Sequence, residues 1–537
     1  MNRTGLVDHF ARDNLPPIKS WPVFQGLEDL AYPARLNCAV ELIDRHVEEG
    51  RGDRLAVLGD GVRWTFAELA AQVNRIANAL TARGMVSGNR VMLRSANNPM
   101  MAAVYFAVLK AGGIVVATMP LLRAKELGVM LDKAEVSLAV CDVKLRAEME
   151  KAAEGRACEV ILFGDAEFDG EVAAASPEFA PCDTASDDVC LIGFTSGTTG
   201  IPKGTMHFHR DMLAICDCYA AKVLKAEPDD RFIGSPPLAF TFGLGGLVLF
   251  PWRIGAAAIL IEKAAPDALM EAAAKHGATV MFTAPTAYRA MLAKLGEHDL
   301  SGLRKCVSAG EALPRATWDA WKEATGITIL DGIGATELLH IFIAAREDEV
   351  RPGATGKPVP GFEAKVIDES GDPVPDGTPG RLAVRGPTGC RYLSDPRQEE
   401  YVRNGWNVTG DTYIRDEDGY FWYQARSDDM IISSGYNIAG PEVESGLLTH
   451  AAVAEAGVVA APDPERGQIA KAYVVLKPGH TADAAMAKAL QDHVKAELAP
   501  YKYPRAVKFV EALPRTETGK LQRFALRQRA AAEAGAA

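Results

Sequence analysis

The alternation of short apolar runs with longer helical segments constrains this chain more than any other feature of its sequence. The helical segments include Thr65–Gly84 and Pro99–Ala111, and Thr65 followed by Glu68 predicts a capping box. Strands that alternate with helices indicate a doubly wound α/β sheet. The predicted strands are Arg90–Leu93, Gly113–Thr118, Val136–Cys141, Val160–Phe163, Asp187–Phe194, Arg231–Ser235, Ala256–Ile261, Val280–Ala284, Lys305–Ser308 and Thr328–Leu330.

The pattern changes twice in the second half of the chain. From about Gly353, turn signals separate short strands, which predicts a β-rich subdomain. Beyond Asp429 the order is α+β, and the Ala-rich segment after Arg523 is expected to fray. The elements predicted in this last part are helices at Pro441–Thr449 and Ala484–Leu498 and strands at Val453–Ala460 and Ala472–Lys477.

Composition excludes several classes of function. The formal net charge of -12 argues against nucleic acid or an anionic membrane as the main partner. The nine Cys are scattered and odd in number, which favours reduced thiols over a disulfide framework or a zinc site. The most apolar stretch, Leu244–Ile261, is interrupted by Arg253, and the first twenty residues lack an apolar signal core. We expect a cytoplasmic protein.

The stretch Phe194–Gly204, FTSGTTGIPKG, carries the clearest functional signal. Its hydroxyls, glycines and single ammonium suit a polyanion, because successive backbone N–H groups in such a loop form an anion-binding concavity. A P-loop would need Gly before the Lys and Ser or Thr after it, whereas Pro202 and Gly204 flank Lys203. The remaining alternative is a polar surface loop.

Residue for residue, this stretch resembles the phosphate loop of the adenylate-forming superfamily of acyl-CoA synthetases, adenylation domains and luciferases. The resemblance implies a large N-terminal domain of doubly wound sheets with a β-rich subdomain, 1–427, and a small mobile α+β lid domain, 428–537. It also implies ATP as substrate, with its phosphates held by Thr195, Ser196, Gly197, Thr198, Thr199, Gly200 and Lys203.

A second signature, DGIGATE, spans Asp331–Glu337. Glu337 offers a hard oxygen ligand that suits Mg²⁺, although a helix start capped by Thr336 is the structural alternative. In the superfamily this stretch binds adenine, phosphate and Mg²⁺, which implies catalytic roles for Thr336 and Glu337. Ile333 stands where the superfamily usually has Tyr. The residues implied to contact the nucleotide here are Asp331, Gly332 and Ile333, together with Gly310 and Glu311 of SAGEALP (Ser308–Pro314).

The C-terminal part adds two further resemblances. Asp411, predicted to lie in a turn, is matched to a ribose-binding carboxylate, and Arg426 to its partner. Asp428 matches the hinge residue of the family, and Ser434, Gly435 and Tyr436 match the segment that lines the CoA pantetheine tunnel. Lys520, in a polar turn that composition alone would leave as an exposed loop, matches the catalytic lysine that brings carboxylate and α-phosphate together.

Aromatic and small residues alternate in PPLAFTFGLGG, Pro236–Gly246, which favours a pocket for a flat ring over one for an alkyl chain. The resemblance is most detailed to benzoate–CoA ligases, in particular to the 2-aminobenzoate branch. A buried core histidine is the alternative interpretation of His340. The predicted acyl-pocket residues are Phe240, Thr241, Phe242, Gly334, His340 and Ile341.

Together the motifs predict an ATP-dependent aryl acid–CoA ligase that needs Mg²⁺ and forms AMP and pyrophosphate. The expected partners are an aromatic acid, ATP and CoA, with a homodimer left open. The alternatives are an adenylating enzyme that loads a carrier protein, an aliphatic acyl-CoA ligase, and a non-catalytic nucleotide-binding protein.

Overall fold

The computed structural model describes residues 3–59, 61–195, 202–426, 429–433, 436–463, 466–498, 501–516 and 520–535. Within these ranges the chain forms 25 strands. They are β1 Leu55–Gly59, β2 Val62–Thr65, β3 Arg90–Arg94, β4 Ile114–Thr118, β5 Leu138–Asp142, β6 Glu159–Phe163, β7 Val189–Thr195, β8 Lys203–Phe208, β9 Arg231–Gly234, β10 Ala257–Ile259, β11 Val280–Thr283, β12 Lys305–Ala309, β13 Ile329–Gly334, β14 Ile341–Ala344, β15 Lys357–Pro358, β16 Glu363–Ile367, β17 Gly380–Arg385, β18 Val402–Arg403, β19 Trp406–Arg415, β20 Phe421–Arg426, β21 Ile431–Ser433, β22 Tyr436–Ile438, β23 Val453–Asp463, β24 Gly467–Leu476 and β25 Ala506–Phe509.

The α-helices of the described ranges follow the same numbering convention. They are α1 Phe10–Asp13, α2 Arg45–Glu48, α3 Phe66–Ala82, α4 Pro99–Lys110, α5 Ala124–Lys133, α6 Arg146–Ala153, α7 Ala166–Ala174, α8 His209–Ile215, α9 Thr241–Leu244, α10 Phe250–Ile254, α11 Pro266–His276, α12 Pro285–Leu292, α13 Arg315–Thr325, α14 Gln398–Tyr401, α15 Gly440–Leu448, α16 Ala484–Glu497 and α17 Arg523–Gly535. Three π-helical segments, at Val40–Asp44, Cys216–Leu224 and Gly245–Leu249, adjoin α-helices. None of the described helices is long and apolar enough to span a bilayer.

Two large, mostly parallel sheets form the first part of the chain. One has the strand order β6-β5-β3-β4-β7-β8, and only β8 runs antiparallel to its neighbour. The other has the order β15-β14-β13-β12-β11-β9-β10-β1-β2, with antiparallel strands at both edges. Helix α4, almost entirely apolar, is buried within the core that these sheets share. The predicted doubly wound α/β fold is confirmed.

Two antiparallel sheets follow. The first, β16-β17-β19-β18 with β20 beside β19, is the β-rich part predicted from the turn signals. The second, β22-β21-β24-β23, pairs β24 with the parallel strand β25 and packs against α15 and α16. The prediction of a frayed tail is wrong, because α17 buries Leu526 and Ala530 and its Glu533 contacts Lys471 and Lys508.

Local signals in the sequence account for several of these boundaries. The predicted capping box is present: Thr65 Oγ1 accepts from the Glu68 backbone N–H, and Glu68 accepts from the Thr65 N–H. Asn98 caps α4 with Pro99 in its first turn. All nine cysteines are free thiols, as the sequence predicted.

Candidate active site

The predicted phosphate loop joins β7 to β8, which form an antiparallel hairpin. Thr195 ends β7 directly opposite Lys203, the first residue of β8. Residues Ser196, Gly197, Thr198, Thr199 and Gly200 lie outside the described residues. Thr195 Oγ1 is buried and has no hydrogen-bond partner within the described part of the chain. A buried hydroxyl without a partner at the root of the loop is available to an incoming ligand.

The second signature lies against this hairpin. Strand β13 runs on to Gly334, so Asp331, Gly332 and Ile333 are strand residues, and a 3₁₀ turn follows at Thr336–Leu338. A Cβ atom at Gly193 of β7 would lie 3.0 Å from Thr336 Cγ2, which shows how closely the two segments approach. His207 Nε2 donates to the Thr336 carbonyl at 2.7 Å and ties β8 to the turn.

Lys203 and Glu337 meet across this contact. The Lys203 Nζ lies 3.5 Å from Glu337 Oε1, and both atoms contact the hydroxyl of Tyr392. Lys203 donates to that hydroxyl at 2.8 Å, and the hydroxyl donates to Glu337 Oε1 at 2.5 Å. The structure therefore places a cation and a carboxylate side by side where the two signatures join.

Sequence reasoning missed the residues that support this junction. Asp211 and Arg391 form a fully buried ion pair below it, and His207 Nδ1 lies 3.7 Å from Asp211 Oδ2. Burial alone would raise the pKa of Asp211, but the charge of Arg391, the hydrogen bond with His207 and the charge of Arg210 together outweigh it and lower the pKa to about 2. Arg391 and Tyr392 follow Lys203 by almost 190 residues, so no local pattern could connect them.

The predicted ribose pair is assembled, although in a different local structure. Asp411 lies inside the ten-residue strand β19, so its predicted turn is wrong, and it faces Arg426 of β20 in register. Arg426 Nη1 is 3.5 Å from Asp411 Oδ1. A Cβ at Gly410 would lie 2.5 Å from Arg426 Nη2, so only glycine lets the guanidinium lie across the strand.

Lys520, from the C-terminal part of the chain, lies near Asp411, Arg426 and Glu311, and we call the space that these residues line the cleft. A Cβ at Gly310 would lie 3.6 Å from Lys520 Nζ, and Gly310 has a φ of +89°, a conformation suited to glycine. Desolvation in the cleft lowers the pKa of Lys520, although its side chain keeps contact with solvent. The groups that act on its charge are Glu311, Arg426 and Asp411.

Aromatic rings surround His340, which is only 2% exposed. Its ring centroid lies 4.5 Å from Phe250 and 5.7 Å from both Phe242 and Tyr219. Burial lowers the pKa of His340 to about 3, so the imidazole is neutral. Because Nε2 donates to the Phe242 carbonyl at 3.3 Å, Nδ1 is an acceptor; it is buried without a partner among the described residues.

Glycines make room for this aromatic recess. A Cβ at Gly245 would lie 2.3 Å from His340 Cδ2, and one at Gly334 would lie 2.8 Å from the His340 carbonyl oxygen. Of the other predicted pocket residues, Phe240 precedes α9, Thr241 begins it, and both are half-buried. Ile341 is buried in β14 against Gly332.

Asp331 provides a further unpaired acceptor. Its Oδ1 is buried without a hydrogen-bond partner in the described ranges, whereas the residue as a whole is partly accessible. Burial raises the pKa of Asp331 to about 7. Of the remaining predicted residues, Asp428, Ser434 and Gly435 lie outside the described part of the chain, and Tyr436 begins β22.

Comparison with known proteins agrees with this arrangement. The AMP-binding enzyme family matches residues 43–392, and its C-terminal domain matches residues 442–520. The chain belongs to the AMP-binding enzyme family. It is 38% identical to the benzoate–CoA ligase of Thauera aromatica, over 98% of this chain and 100% of that protein. It is 33% identical to the 3-hydroxybenzoate–CoA ligase of Aromatoleum sp. (strain CIB), over 92% and 97%.

A solved structure shows the same fold in detail. The crystal structure of the anthranilate CoA ligase AuaEII in complex with anthranoyl-AMP superposes with a TM-score of 0.90 and 35% identity, covering 94% of this chain and 99% of that one. The resemblance to adenylate-forming enzymes of the benzoate–CoA ligase type, predicted from the motifs, is confirmed.

Proposed function

We propose that this protein is an AMP-forming ligase that joins an aromatic carboxylic acid to CoA through an acyl-adenylate. One observation carries the proposal: Lys203, which suits phosphate, forms an ion pair with Glu337, which suits a metal ion. Glu337 precedes His340 of the aromatic recess by only three residues, so the charged pair and the recess are adjacent in the chain. The similarity to ligases acting on benzoate, 3-hydroxybenzoate and anthranilate supports an aromatic acid.

The same cleft offers a partner for each part of ATP. Lys203, Thr195 and the loop residues 196–200 bind the phosphates, and Asp411 with Arg426 binds the ribose hydroxyls. The unpaired Oδ1 of Asp331 accepts from the adenine amino group, next to Gly310, Glu311 and the apolar side chain of Ile333.

The donors present also fit Mg²⁺. Glu337 contributes a carboxylate that is only 7% exposed and that the structure surrounds with a hydroxyl and an ammonium, and Mg²⁺ prefers one or two carboxylates plus substrate phosphates. Glu337 would hold the ion beside Thr336. When bound, Mg²⁺ offsets the negative charge of the phosphates.

The first reaction forms the adenylate. A carboxylate oxygen of the acid attacks the α-phosphorus of ATP, and pyrophosphate leaves. Lys520 brings the two anions together, because a fixed ammonium offsets their repulsion as charge develops. Its lowered pKa is consistent with an ammonium partly removed from water.

The second reaction forms the thioester. The CoA thiol gives up its proton to solvent and its sulfur forms a bond to the acyl carbonyl carbon, and AMP leaves with the electron pair of the broken C–O bond. In the structure Lys520 lies in the cleft where the adenylate forms, so the domain that carries Lys520 must move before the CoA thiol can approach. We propose that 428–537 acts as a lid on 1–427, that it turns about Asp428, and that Ser434, Gly435 and Tyr436 then line the CoA channel. We also place the enzyme in the cytoplasm, where both co-substrates occur.

The recess suggests the ring substituent. Its lining of Phe240, Thr241, Phe242, Gly334, His340 and Ile341 suits a flat ring, and its buried histidine is neutral. The unpaired Nδ1 of His340 can accept from an amino group next to the carboxylate. We therefore propose 2-aminobenzoate as a preferred substrate and benzoate as a poorer one.

Release of AMP from ATP and Mg²⁺ tests the proposal. The acids are benzoate, 2-aminobenzoate, 4-hydroxybenzoate and hexanoate, each with and without CoA. We expect CoA-dependent turnover that is highest with 2-aminobenzoate. Highest turnover with hexanoate would reject the aromatic substrate, and acid-dependent pyrophosphate exchange without any CoA-dependent product would favour transfer to a carrier protein. ATP binding without exchange on any acid would reject catalysis.

A further inference from the structure

Tyr392 lies between the two charged residues of the proposed ATP site, although none of the sequence motifs contains it. Its side chain is completely buried, and its ring packs edge-on against Tyr401 at 5.8 Å. Its hydroxyl accepts from Lys203 Nζ at 2.8 Å and donates to Glu337 Oε1 at 2.5 Å. One hydroxyl thus uses its single proton on the carboxylate and a lone pair on the ammonium.

The backbone around Tyr392 is fixed to the strand that begins at Lys203. Met206 donates to the Arg391 carbonyl at 2.7 Å, and Leu393 donates to the Gly204 carbonyl at 2.8 Å. The Tyr392 N–H itself donates to Gln398 Oε1 at 2.8 Å. Hydrogen bonds before, at and after Tyr392 therefore hold its hydroxyl at one position relative to β8.

We propose that the Tyr392 hydroxyl is a positioning group that keeps Glu337 and Lys203 apart and aims Glu337 at the metal. The inference rests on the proposed function. With the hydroxyl between them, the ammonium and the carboxylate stay 3.5 Å apart. With ATP and Mg²⁺ bound, Lys203 would contact the phosphates and Glu337 would hold the ion, while the Tyr392 hydroxyl would still donate to Oε1.

Removal of the Tyr392 hydroxyl would change the distance between Lys203 and Glu337. In Tyr392→Phe, Lys203 and Glu337 can shorten their 3.5 Å ion pair to hydrogen-bonding distance, and metal and phosphate must then separate this tighter pair. Groups that hydrogen-bond a metal-binding carboxylate typically contribute 10- to 100-fold to metal affinity. The ring contacts persist in this variant, including the approach of Lys203 Nζ to within 4.8 Å of the ring centre.

Tyr401 supplies a matched control. It is a partly buried tyrosine beside Lys203, whose Nζ lies 5.7 Å from its ring centre. Tyr401→Phe removes a hydroxyl from the same aromatic group without touching the bridge between Lys203 and Glu337. A loss specific to Tyr392→Phe therefore reports on the bridge and not on the aromatic surroundings.

The experiment measures Mn²⁺ affinity by electron paramagnetic resonance, with the full-length enzyme saturated by a non-hydrolysable ATP analogue. We expect affinity to fall 10- to 100-fold in Tyr392→Phe and less than twofold in Tyr401→Phe. Unchanged affinity in Tyr392→Phe, or an equal loss in both variants, would overturn the inference. A wild-type enzyme that binds no Mn²⁺ with the analogue would instead overturn the proposed metal site itself.

A second readout separates positioning from general damage. Attack of CoA on supplied acyl-adenylate uses neither the phosphate cation nor the metal, so Tyr392→Phe should retain this rate within about twofold, while pyrophosphate exchange falls 10- to 100-fold. Equal losses in both reactions, or a lowered Tm in Tyr392→Phe alone, would show that the hydroxyl stabilises the fold and would overturn the positioning role.

Discussion

The phosphate side and the acyl side of the cleft handle polar groups in opposite ways. On the phosphate side, Lys203 and Glu337 form an ion pair and are joined by one hydroxyl. On the acyl side, burial keeps His340 neutral among aromatic rings. We infer from this difference that the phosphate side supplies electrostatic catalysis that is the same for any acid. The acyl side selects the acid by its shape and by one hydrogen-bond acceptor, His340 Nδ1.

The largest expected effect comes from Lys520→Ala. Loss of the ammonium should lower pyrophosphate exchange about 10²–10³-fold, because the repulsion between carboxylate and α-phosphate is no longer offset. The rate of CoA attack on supplied acyl-adenylate should stay unchanged. Equal damage to both half-reactions would reject a role confined to adenylation.

Gly245→Ala should damage the acyl side without affecting the phosphate side. The new methyl would lie 2.3 Å from His340 Cδ2, and the rings around that imidazole leave it nowhere to move. We expect a loss of about 1–3 kcal/mol in the free energy of unfolding and about a 30-fold fall in kcat/KM for the acid.

Gly170→Ala is the control, since a Cβ there meets nothing within 4 Å in the described structure. It should leave kcat/KM for the acid unchanged within twofold. The free energy of unfolding should stay the same or rise slightly, as expected for Ala in a helix. A normal kcat/KM for the acid in Gly245→Ala would mean that the ring does not bind beside His340.

His340→Leu should change preference more than rate. If Nδ1 accepts from the ring amino group, removing it should reduce the ratio of kcat/KM for 2-aminobenzoate over benzoate about tenfold. The KM for ATP should not change. An unaltered ratio would assign the discrimination to another group, such as Thr241.

The smallest expected effect is on pH dependence. Burial raises the pKa of Asp331 to about 7, so this carboxyl loses its proton as pH rises from 6 to 8. The charged form is the stronger acceptor, and the KM for ATP should fall about threefold over this range. Asp331→Asn should give a flat profile; a slope of the same size in that variant would place the titrating group elsewhere.

The same shift has a consequence for stability with a definite sign. The folded pKa of about 7 exceeds the ordinary value of 3.8, so the unfolded chain releases this proton at lower pH. The contribution of Asp331 to the free energy of unfolding therefore falls as pH rises between about 4 and 7. Thermal unfolding of Asp331→Asn should lack this component.

The sequence predicted those features of the fold that depend on interactions between neighbouring residues. The Thr65–Glu68 capping box and the alternation of strands and helices needed only neighbouring residues. The turn predicted at Asp411 was wrong, because Thr409-Gly410-Asp411 is polar enough for a turn but lies inside β19. The three residues span an irregularity in the pairing of β19 with β17, and Asp411 pairs with Arg426 of β20. The tail was mistaken for a fraying end because its many alanines obscured Leu526 and Ala530, spaced four residues apart on one helical face.

The candidate site could be proposed from the sequence only where a motif contains its residues. Lys203, Glu337, Asp411 and Lys520 stand in motifs of small and polar residues that are recognisable without a structure. Tyr392 and Arg391 could not be found in this way, since their partners lie far away in sequence and an aromatic residue or a buried arginine has no local signature. These contacts can be identified only from the structure, in which residues 391–393 hydrogen-bond to β8.

One measurement tests the division between the two regions most directly: the ratio of kcat/KM for benzoate over hexanoate in the wild-type enzyme and in Lys203→Gln. The account predicts a ratio well above one in the wild type and the same ratio, within about twofold, in the variant, although both constants fall about 10²-fold with the phosphate cation removed. A ratio below one in the wild type, or one that changes tenfold in the variant, would contradict the claim that the aromatic recess alone selects the acid.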